Sequence, residues 1–184
     1  MKKNILTLLV ALTFSFMGIH ANAQKDPMVG GAAMYPTKNI VENAVNSKDH
    51  TTLVAAVKAA GLVSTLEGPG PFTVFAPTNE AFAALPAGTV DNLLKPENKP
   101  TLVKILTYHV VPGRITTRDL KKMIKQGDGK AELKTVEGGT LTVSMKHGKY
   151  MLTDEKGGMA TITIPNVIQS NGVIQVINAV LMPN

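Results

Sequence analysis

The hydrophobic pattern changes its period along the chain, and this change restricts the fold to few classes. In the first part, apolar residues recur at helical spacing, as at Leu53, Val57 and Ala60. From Ala131 onward they alternate with polar residues, which is the pattern of half-buried strands. The early segment Phe72–Phe75, FTVF, is an exception that reads as a strand. This order predicts an α+β fold in which the early strand joins the later sheet.

The last apolar segment, residues 173–182, is too hydrophobic for a strand with one exposed face. Its apolar residues include Val173, Ile174, Val176, Ile177, Val180 and Leu181. The dipeptide Asn171-Gly172 before it is a hairpin turn signal and needs no function. We therefore expect a central, buried strand, with Val176 and Ile177 in the core.

The N-terminus has the three parts of a secretory signal peptide. Lys2 and Lys3 form a short basic start, an apolar run covers residues 5–19, and Ala21-Asn22-Ala23 fits the small-x-small cleavage pattern. We expect a signal peptide at residues 1–23, cleavage after Ala23, and a secreted or periplasmic protein. An uncleaved anchor is the alternative, although the run is shorter than a span of about 20 residues. No transmembrane segment is predicted after cleavage.

Residues 24–36, QKDPMVGGAAMYP, are rich in Gly, Ala and Met. They are expected to form a flexible linker or a surface arm before one domain at residues 37–184. The chain has no Cys, which excludes disulfides, Cys-ligated metals and thiol catalysis. The domain must therefore depend on its hydrophobic core.

The residues give little support to catalysis. His50, His109 and His147 are widely separated without a metal-ligand spacing, and no nucleophile elbow or P-loop is present. We predict no enzymatic activity, no metal and no cofactor. Nucleic acid is not expected as a partner, because basic and aromatic residues are not interleaved and the protein is predicted to be exported. A monomer is expected.

Three segments together resemble the fasciclin domain family. They read GPFTVFAPTNEAFAALP at Gly70–Pro86, LTYHVVPG at Leu106–Gly113 and NVIQSNGVIQVINAVLMP at Asn166–Pro183. Their order matches the two conserved boxes of the family and the Tyr-His motif between them, and the chain looks most like single-domain secreted bacterial members. The resemblance implies a wedge-like β-sandwich with a layer of short helices. Gln175 and Asn178 depart from the His and Asp of many members, which indicates that these positions serve structure.

The resemblance also implies partner contacts at Tyr108 and His109, since this region is linked with receptor binding in the family. His109 nevertheless falls on the apolar face of its predicted helix, which favours a structural role, whereas Tyr108 is expected to be more exposed. Thr78 and Asn79 form either a polar surface site or a helix cap, and capping is favoured.

The densest basic stretch is a second candidate surface. Lys121, Lys122 and Lys125 lie on the polar face of a predicted helix, followed by Lys130 and Lys134. They are either a site for an anionic polysaccharide or membrane surface, or the solvated face of a helix. Together these features predict an exported, non-enzymatic module for cell adhesion or surface interaction, through protein or polysaccharide contacts. The alternative is a periplasmic or secreted protein that binds a small apolar ligand.

Overall fold

The computed structural model describes residues 26–184. The predicted signal peptide at residues 1–23 and its cleavage after Ala23 lie outside the described residues. The helices are α1 (Ile40–Ala44), α2 (Thr51–Ala60), α3 (Val63–Glu67), α4 (Asn79–Ala83), α5 (Thr89–Leu93), α6 (Lys99–Tyr108) and α7 (Thr117–Gln126). Short 3-10 turns cover Lys48–His50 and Pro96–Asn98. The strands are β1 (Met28–Val29), β2 (Ala32–Ala33), β3 (Phe72–Pro77), β4 (Val110–Pro112), β5 (Lys130–Lys134), β6 (Thr140–Lys146), β7 (Lys149–Thr153), β8 (Met159–Gln169) and β9 (Gly172–Ile177).

Seven of these strands form one mixed sheet in the order β4-β3-β9-β8-β7-β6-β5. Strand β3 runs parallel to β9, and the other neighbouring pairs are antiparallel. Register shifts near Ile164 interrupt the ladder between β8 and β9, as bulges that bend a sheet do. The sheet is nearly closed, because the N–H of Val136 donates to the Val110 carbonyl of edge strand β4 across 2.8 Å. The α+β prediction and the early strand in the later sheet are confirmed.

Two hydrophobic cores lie on opposite faces of β3 and β9. Val74 and Val176 belong to the core beneath the helical layer, whereas Phe75 and Ile177 belong to the core inside the curved sheet. This division follows from the alternation of side chains along a strand. Since β9 has β3 on one edge, β8 on the other and a core on each face, all its residues are buried. The predicted central strand is confirmed.

Residues 28–34 pack on the rest of the fold. Strands β1 and β2 form a two-stranded hairpin, and Val29 and Met34 are 4% and 2% exposed in the core beneath the helices. Of the two expectations for residues 24–36, this packing of residues 28–34 agrees with a surface arm rather than with a flexible linker. Met34 explains the difference, because its flexible thioether side chain fills a gap in the core, although the Gly and Ala residues around it suggest a linker in the sequence.

Local signals in the sequence account for several helix ends. Thr116 and Asp119 form a capping box at the start of α7, as the Thr-x-x-Asp spacing indicates. Gly61 ends α2 in the left-handed conformation at φ 73°, and the N–H of Leu62 donates to the Val57 carbonyl across 3.0 Å, as in a Schellman cap. Ser47 and Asp49 precede α2 and are residue types that often cap helices, but neither forms a cap there, because a 3-10 turn comes first.

Candidate functional site

Tyr108 and His109 lie where α6 enters the core inside the curved sheet. Tyr108 is 0% exposed and His109 is 3% exposed. The expectation that Tyr108 is the more exposed residue is wrong. Leu102 and Leu106 turn toward the helical core, whereas Tyr108 belongs to the core inside the curved sheet. Direct partner contacts by these two side chains do not fit this burial.

Hydrogen bonds occupy the polar atoms of both side chains. The Tyr108 hydroxyl donates to the Thr140 carbonyl across 2.8 Å and accepts from the N–H of Glu155 across 3.2 Å. Burial raises the pKa of Tyr108 to about 12. The His109 Nδ1 lies 2.8 Å from the Ile105 carbonyl, and its Nε2 accepts from the N–H of Leu181 across 3.0 Å. Burial lowers the pKa of His109 to about 4, so the ring is neutral at physiological pH.

Thr78 and Asn79 both act at helix ends. The Thr78 hydroxyl accepts from the N–H of Ala81 at the start of α4, across 3.4 Å. The Asn79 carbonyl oxygen accepts from the N–H of Thr52 across 3.0 Å, and its amide donates to the Lys48 carbonyl across 2.8 Å. Asn79 therefore caps α2 from another part of the chain, which the sequence pattern could not indicate. A surface-site role for this pair stays a prediction.

Gln175 and Asn178, the departures from the family pattern, make internal bonds. The Gln175 side chain accepts from the N–H of Asn166 across 2.9 Å and donates to the Ile115 carbonyl across 3.1 Å. The Asn178 side chain accepts from the N–H of Thr161 across 2.7 Å. Both amides therefore hold loops against β8 and β9, in agreement with a structural role.

Two carboxylates with a displaced pKa have structural partners. The side-chain hydroxyl and the backbone N–H of Thr116 lower the pKa of Asp119. The backbone N–H groups of Thr140 and Asn184 lower the pKa of Glu155. Both groups are therefore ionised near neutral pH and act as caps of a helix and a turn.

The predicted basic residues are exposed together. Lys121, Lys122 and Lys125 lie on the outer face of α7, whose Leu120 and Ile124 are buried against the sheet. We call residues 114–149 the basic region, since it contains nine Lys or Arg and four Asp or Glu. The rest of residues 26–184 contains seven Lys or Arg and nine Asp or Glu. Positive charge is therefore concentrated in one part of the fold.

A partly enclosed apolar cavity of ≈ 90 Å³ lies beneath the helical layer. It is bounded by α1, α2 and α3 on one side and by β3 and β9 on the other, and we call it the α1–α3 cavity. Its walls include Val41, Val57, Leu66, Val74, Ile174 and His50. The sequence did not single out His50 as a site residue. Its one local indication was the spacing Ser47-x-x-His50 before an apolar helix, which allows the two side chains to bond to each other.

Residues 26–184 contain no group of three or more His, Cys, Asp or Glu side chains placed to hold a metal ion. No helix in the same range is long and apolar enough to cross a membrane.

Comparison with known proteins identifies the family. The family model of the fasciclin domain matches residues 48–183. Protein sll1483 of Synechocystis is 50% identical over 160 residues, which cover 87% of this chain and 82% of that protein. Immunogenic protein MPB70 of Mycobacterium bovis is 35% identical, covering 76% of this chain and 66% of that protein.

A longer animal protein and a solved structure share the domain. Transforming growth factor-beta-induced protein ig-h3 of Sus scrofa is 34% identical over 80% of this chain, which spans 20% of that protein. A domain pair from the insect cell adhesion molecule Fasciclin I has the same fold, with a TM-score of 0.70 and 19% identity, over 79% of this chain and 51% of that chain. The match of the family model and the 50% identity to protein sll1483 show that the chain belongs to the fasciclin domain family.

Proposed function

We propose that this protein is an exported, non-catalytic adhesion module that attaches to an anionic polysaccharide through its basic region. The concentration of positive charge in residues 114–149 supports this proposal. Membership of the fasciclin domain family, whose fold is shared by an insect cell adhesion molecule, supports a role in adhesion at the cell surface. Exposed cations that lie close together attract a polyanion more strongly than the same charges spread over a surface.

The details of the surface agree with a polymer partner. Lys146 and Lys149 lie opposite each other in the β6–β7 hairpin, and Lys130 and Lys134 are exposed on β5. Within residues 26–184 the one salt bridge joins Lys104 to Glu137 at 3.8 Å, so the lysines of the basic region have no carboxylate within 4.0 Å. They are therefore available to a polyanion without first breaking an internal pair.

The proposal is tested by affinity chromatography of residues 24–184 on immobilised alginate, a polyuronate, with dextran as the neutral matrix. Retention on alginate and elution by salt are expected, since salt screens contacts between exposed charges. The triple variant K121Q/K122Q/K125Q is expected to bind about tenfold more weakly. The matched control K48Q/K95Q/K156Q removes three charges outside the basic region and is expected to retain most of the binding.

The cellular test is attachment of a strain that lacks the gene, compared with strains that carry the parent or the triple variant. Reduced attachment in the first and third strains is expected. Equal elution of all three proteins from alginate would contradict the assignment to the basic region. Normal attachment and surface growth of the deletion strain would contradict the adhesion function itself.

A further inference from the structure

The α1–α3 cavity is larger than an ordinary packing defect. It encloses ≈ 90 Å³, whereas a void of about 10–15 Å³ is already enough for one water molecule. Folded interiors contain few voids larger than a water, because their side chains pack as densely as molecules in organic crystals. A void of this size leaves the side chains around it short of van der Waals contacts, which an occupant would supply.

The surface of the cavity is almost entirely apolar. Polar side chains in its lining turn toward other parts of the protein: the Ser47 hydroxyl lies 2.8 Å from Nδ1 of His50, and the Thr107 hydroxyl donates to the Val103 carbonyl across 2.7 Å. Nε2 of His50 is buried within the wall. A buried water typically makes about three hydrogen bonds and would not find them here, so the walls favour an apolar occupant.

A lysine marks an opening of this cavity to solvent. Val54 and Lys58 are one turn apart on α2 and both line the cavity, but Val54 is half-buried whereas Lys58 is exposed. The alkyl stem of such a lysine covers apolar surface while its ammonium group stays in water. No carboxylate lies within 4.0 Å of this ammonium, because the one salt bridge in residues 26–184 joins Lys104 to Glu137. An unpaired positive charge therefore lies beside the apolar cavity.

We propose that the α1–α3 cavity binds the alkyl chain of a straight-chain monocarboxylate, a short fatty acid, whose carboxylate stays at the opening beside the Lys58 ammonium. The chain contacts the apolar walls. The carboxylate pairs with a cation and keeps part of its hydration, so no charge has to be buried. This site is separate from the basic region and adds a ligand to the proposed adhesion module.

The volume favours a chain over a ring. An apolar cavity of about 150 Å³ is known to hold benzene. At ≈ 90 Å³ the enclosed space is smaller than that, whereas an unbranched chain is narrower than a ring and enters by a few carbons. The remaining carbons then lie in the open part of the cavity.

Part of the cavity wall precedes the residues that match the fasciclin family model. Val29 and Met34 of the β1–β2 hairpin line the cavity, as do Val41 and Ala44 of α1, and the match begins at residue 48. The matched domain alone would leave this side of the cavity without its wall. The proposed site therefore depends on the N-terminal hairpin and α1 of this chain.

NMR titration of nitrogen-15-labelled residues 24–184 tests the contact between chain and cavity. The probes are butanoate, hexanoate, octanoate and decanoate, each kept below the concentration at which micelles form. Affinity is expected to rise about fourfold per methylene until the cavity is filled, and to level off for longer chains, because each buried methylene contributes a similar free energy. Amide shifts should fall on residues that line the cavity.

Two probes with the same chain and opposite charge test the role of Lys58. The parent is expected to bind octanoate more tightly than octyltrimethylammonium. Lys58→Glu is expected to weaken octanoate about tenfold and to reverse this preference, because an exposed ion pair is replaced by repulsion between like charges. Lys156→Glu, at an exposed position in the turn after β7, makes the same change of charge away from the cavity and is expected to bind octanoate as the parent does.

Two further variants assign the binding to this cavity. Ala44→Leu places extra carbons in the cavity wall and is expected to weaken octanoate about tenfold. The triple variant K121Q/K122Q/K125Q, which is expected to weaken alginate binding, should bind octanoate like the parent. Failure of this proposal and failure of the proposed adhesion function are thereby distinguished.

Several results would overturn the proposal. They are an affinity that does not depend on chain length, undiminished octanoate binding in Ala44→Leu, or an equal effect of Lys58→Glu and Lys156→Glu on octanoate. Lys58 is exposed and Ala44 is half-buried, so both variants are expected to fold, which thermal melting checks. If Ala44→Leu does not fold, the chain-length series and the comparison of the two lysine variants decide the question.

Discussion

The side chain of His109 and the backbone of Leu181 are joined by a hydrogen bond although they are 72 residues apart. The N–H of Leu181 donates to Nε2, so the proton of the neutral ring is on Nδ1, which donates to the Ile105 carbonyl. The ring thereby ties the end of α6 to the segment that follows β9. These bonds give His109 a structural role.

Stability is expected to fall as the pH decreases from about 6.5 to about 4. The pKa of His109 is about 4 in the folded protein, because burial disfavours the charged ring. In the unfolded chain the ring has the ordinary histidine pKa of 6.5. The unfolded chain therefore binds the proton first as the pH falls, and the free energy of unfolding decreases by about 3 kcal/mol over this window. Above pH 6.5 both states are neutral and the full stability is present. Urea unfolding at several pH values measures the slope.

His109→Gln is the control for this slope. Its unfolding free energy is expected to change less between about pH 7 and about pH 5, a range above the ordinary pKa of most carboxyl groups. His50 has a lowered pKa and contributes with the same sign, so part of the slope should remain. An unchanged slope in His109→Gln would show that this ring is not its source.

Tyr108→Phe is expected to lower the free energy of unfolding by about 1–2 kcal/mol. The change removes the hydroxyl that bonds to Thr140 and Glu155 but keeps the buried ring. Tyr35→Phe, at an exposed position, is the matched control and should change stability by less than about 0.5 kcal/mol. Chemical denaturation measures both. A loss of alginate binding by folded Tyr108→Phe, at unchanged stability, would contradict the structural role.

Asn171→Ala is expected to cost about 2–3 kcal/mol. Its side chain accepts from the N–H of Ile40 across 3.0 Å and donates to the carbonyls of Leu66 and Gly68 across 2.7 and 2.9 Å. The substitution leaves these backbone groups without partners. Asn46→Ala, which removes one exposed bond on α1, is the control and should be close to neutral. Similar melting of both variants would exclude this role for Asn171.

Gly172→Ala is expected to destabilise the protein by about 3 kcal/mol, at the upper end for overpacking. Phe72 and Gly172 are register partners in the parallel pair of β3 and β9, and a Cβ at position 172 would lie 2.1 Å from the Phe72 carbonyl oxygen. That atom belongs to the backbone and cannot move aside without shifting a central strand. Ser170→Ala in the same hairpin is exposed and should melt like the parent. Equal melting temperatures would show that the two strands separate easily.

Much of the fold could be predicted from the period of the hydrophobic residues and from hydrogen bonds between residues that are close in sequence. The alternation around Val74 and Phe75 and the apolar run of β9 indicated strands, and a strand without a polar face had to be central. Capping of α7 by Thr116 was predictable because its bonds join groups within one helical turn. These features depend on neighbours a few residues apart, which the sequence displays directly.

The candidate sites depended on contacts between distant residues. Asn79 caps α2 from 27 residues away, and Tyr108 is buried because its neighbours come from β6 and the turn after β7. A helical pattern shows which face of α6 is apolar, but not that a curved sheet covers the other face as well. The hydrophobic pattern of the sequence by itself determined the order of elements and the central strand. Only the tertiary structure decided which polar atoms are satisfied and that Nε2 of His50 is not, because burial and hydrogen bonding at long range depend on where the closing sheet brings the chain together.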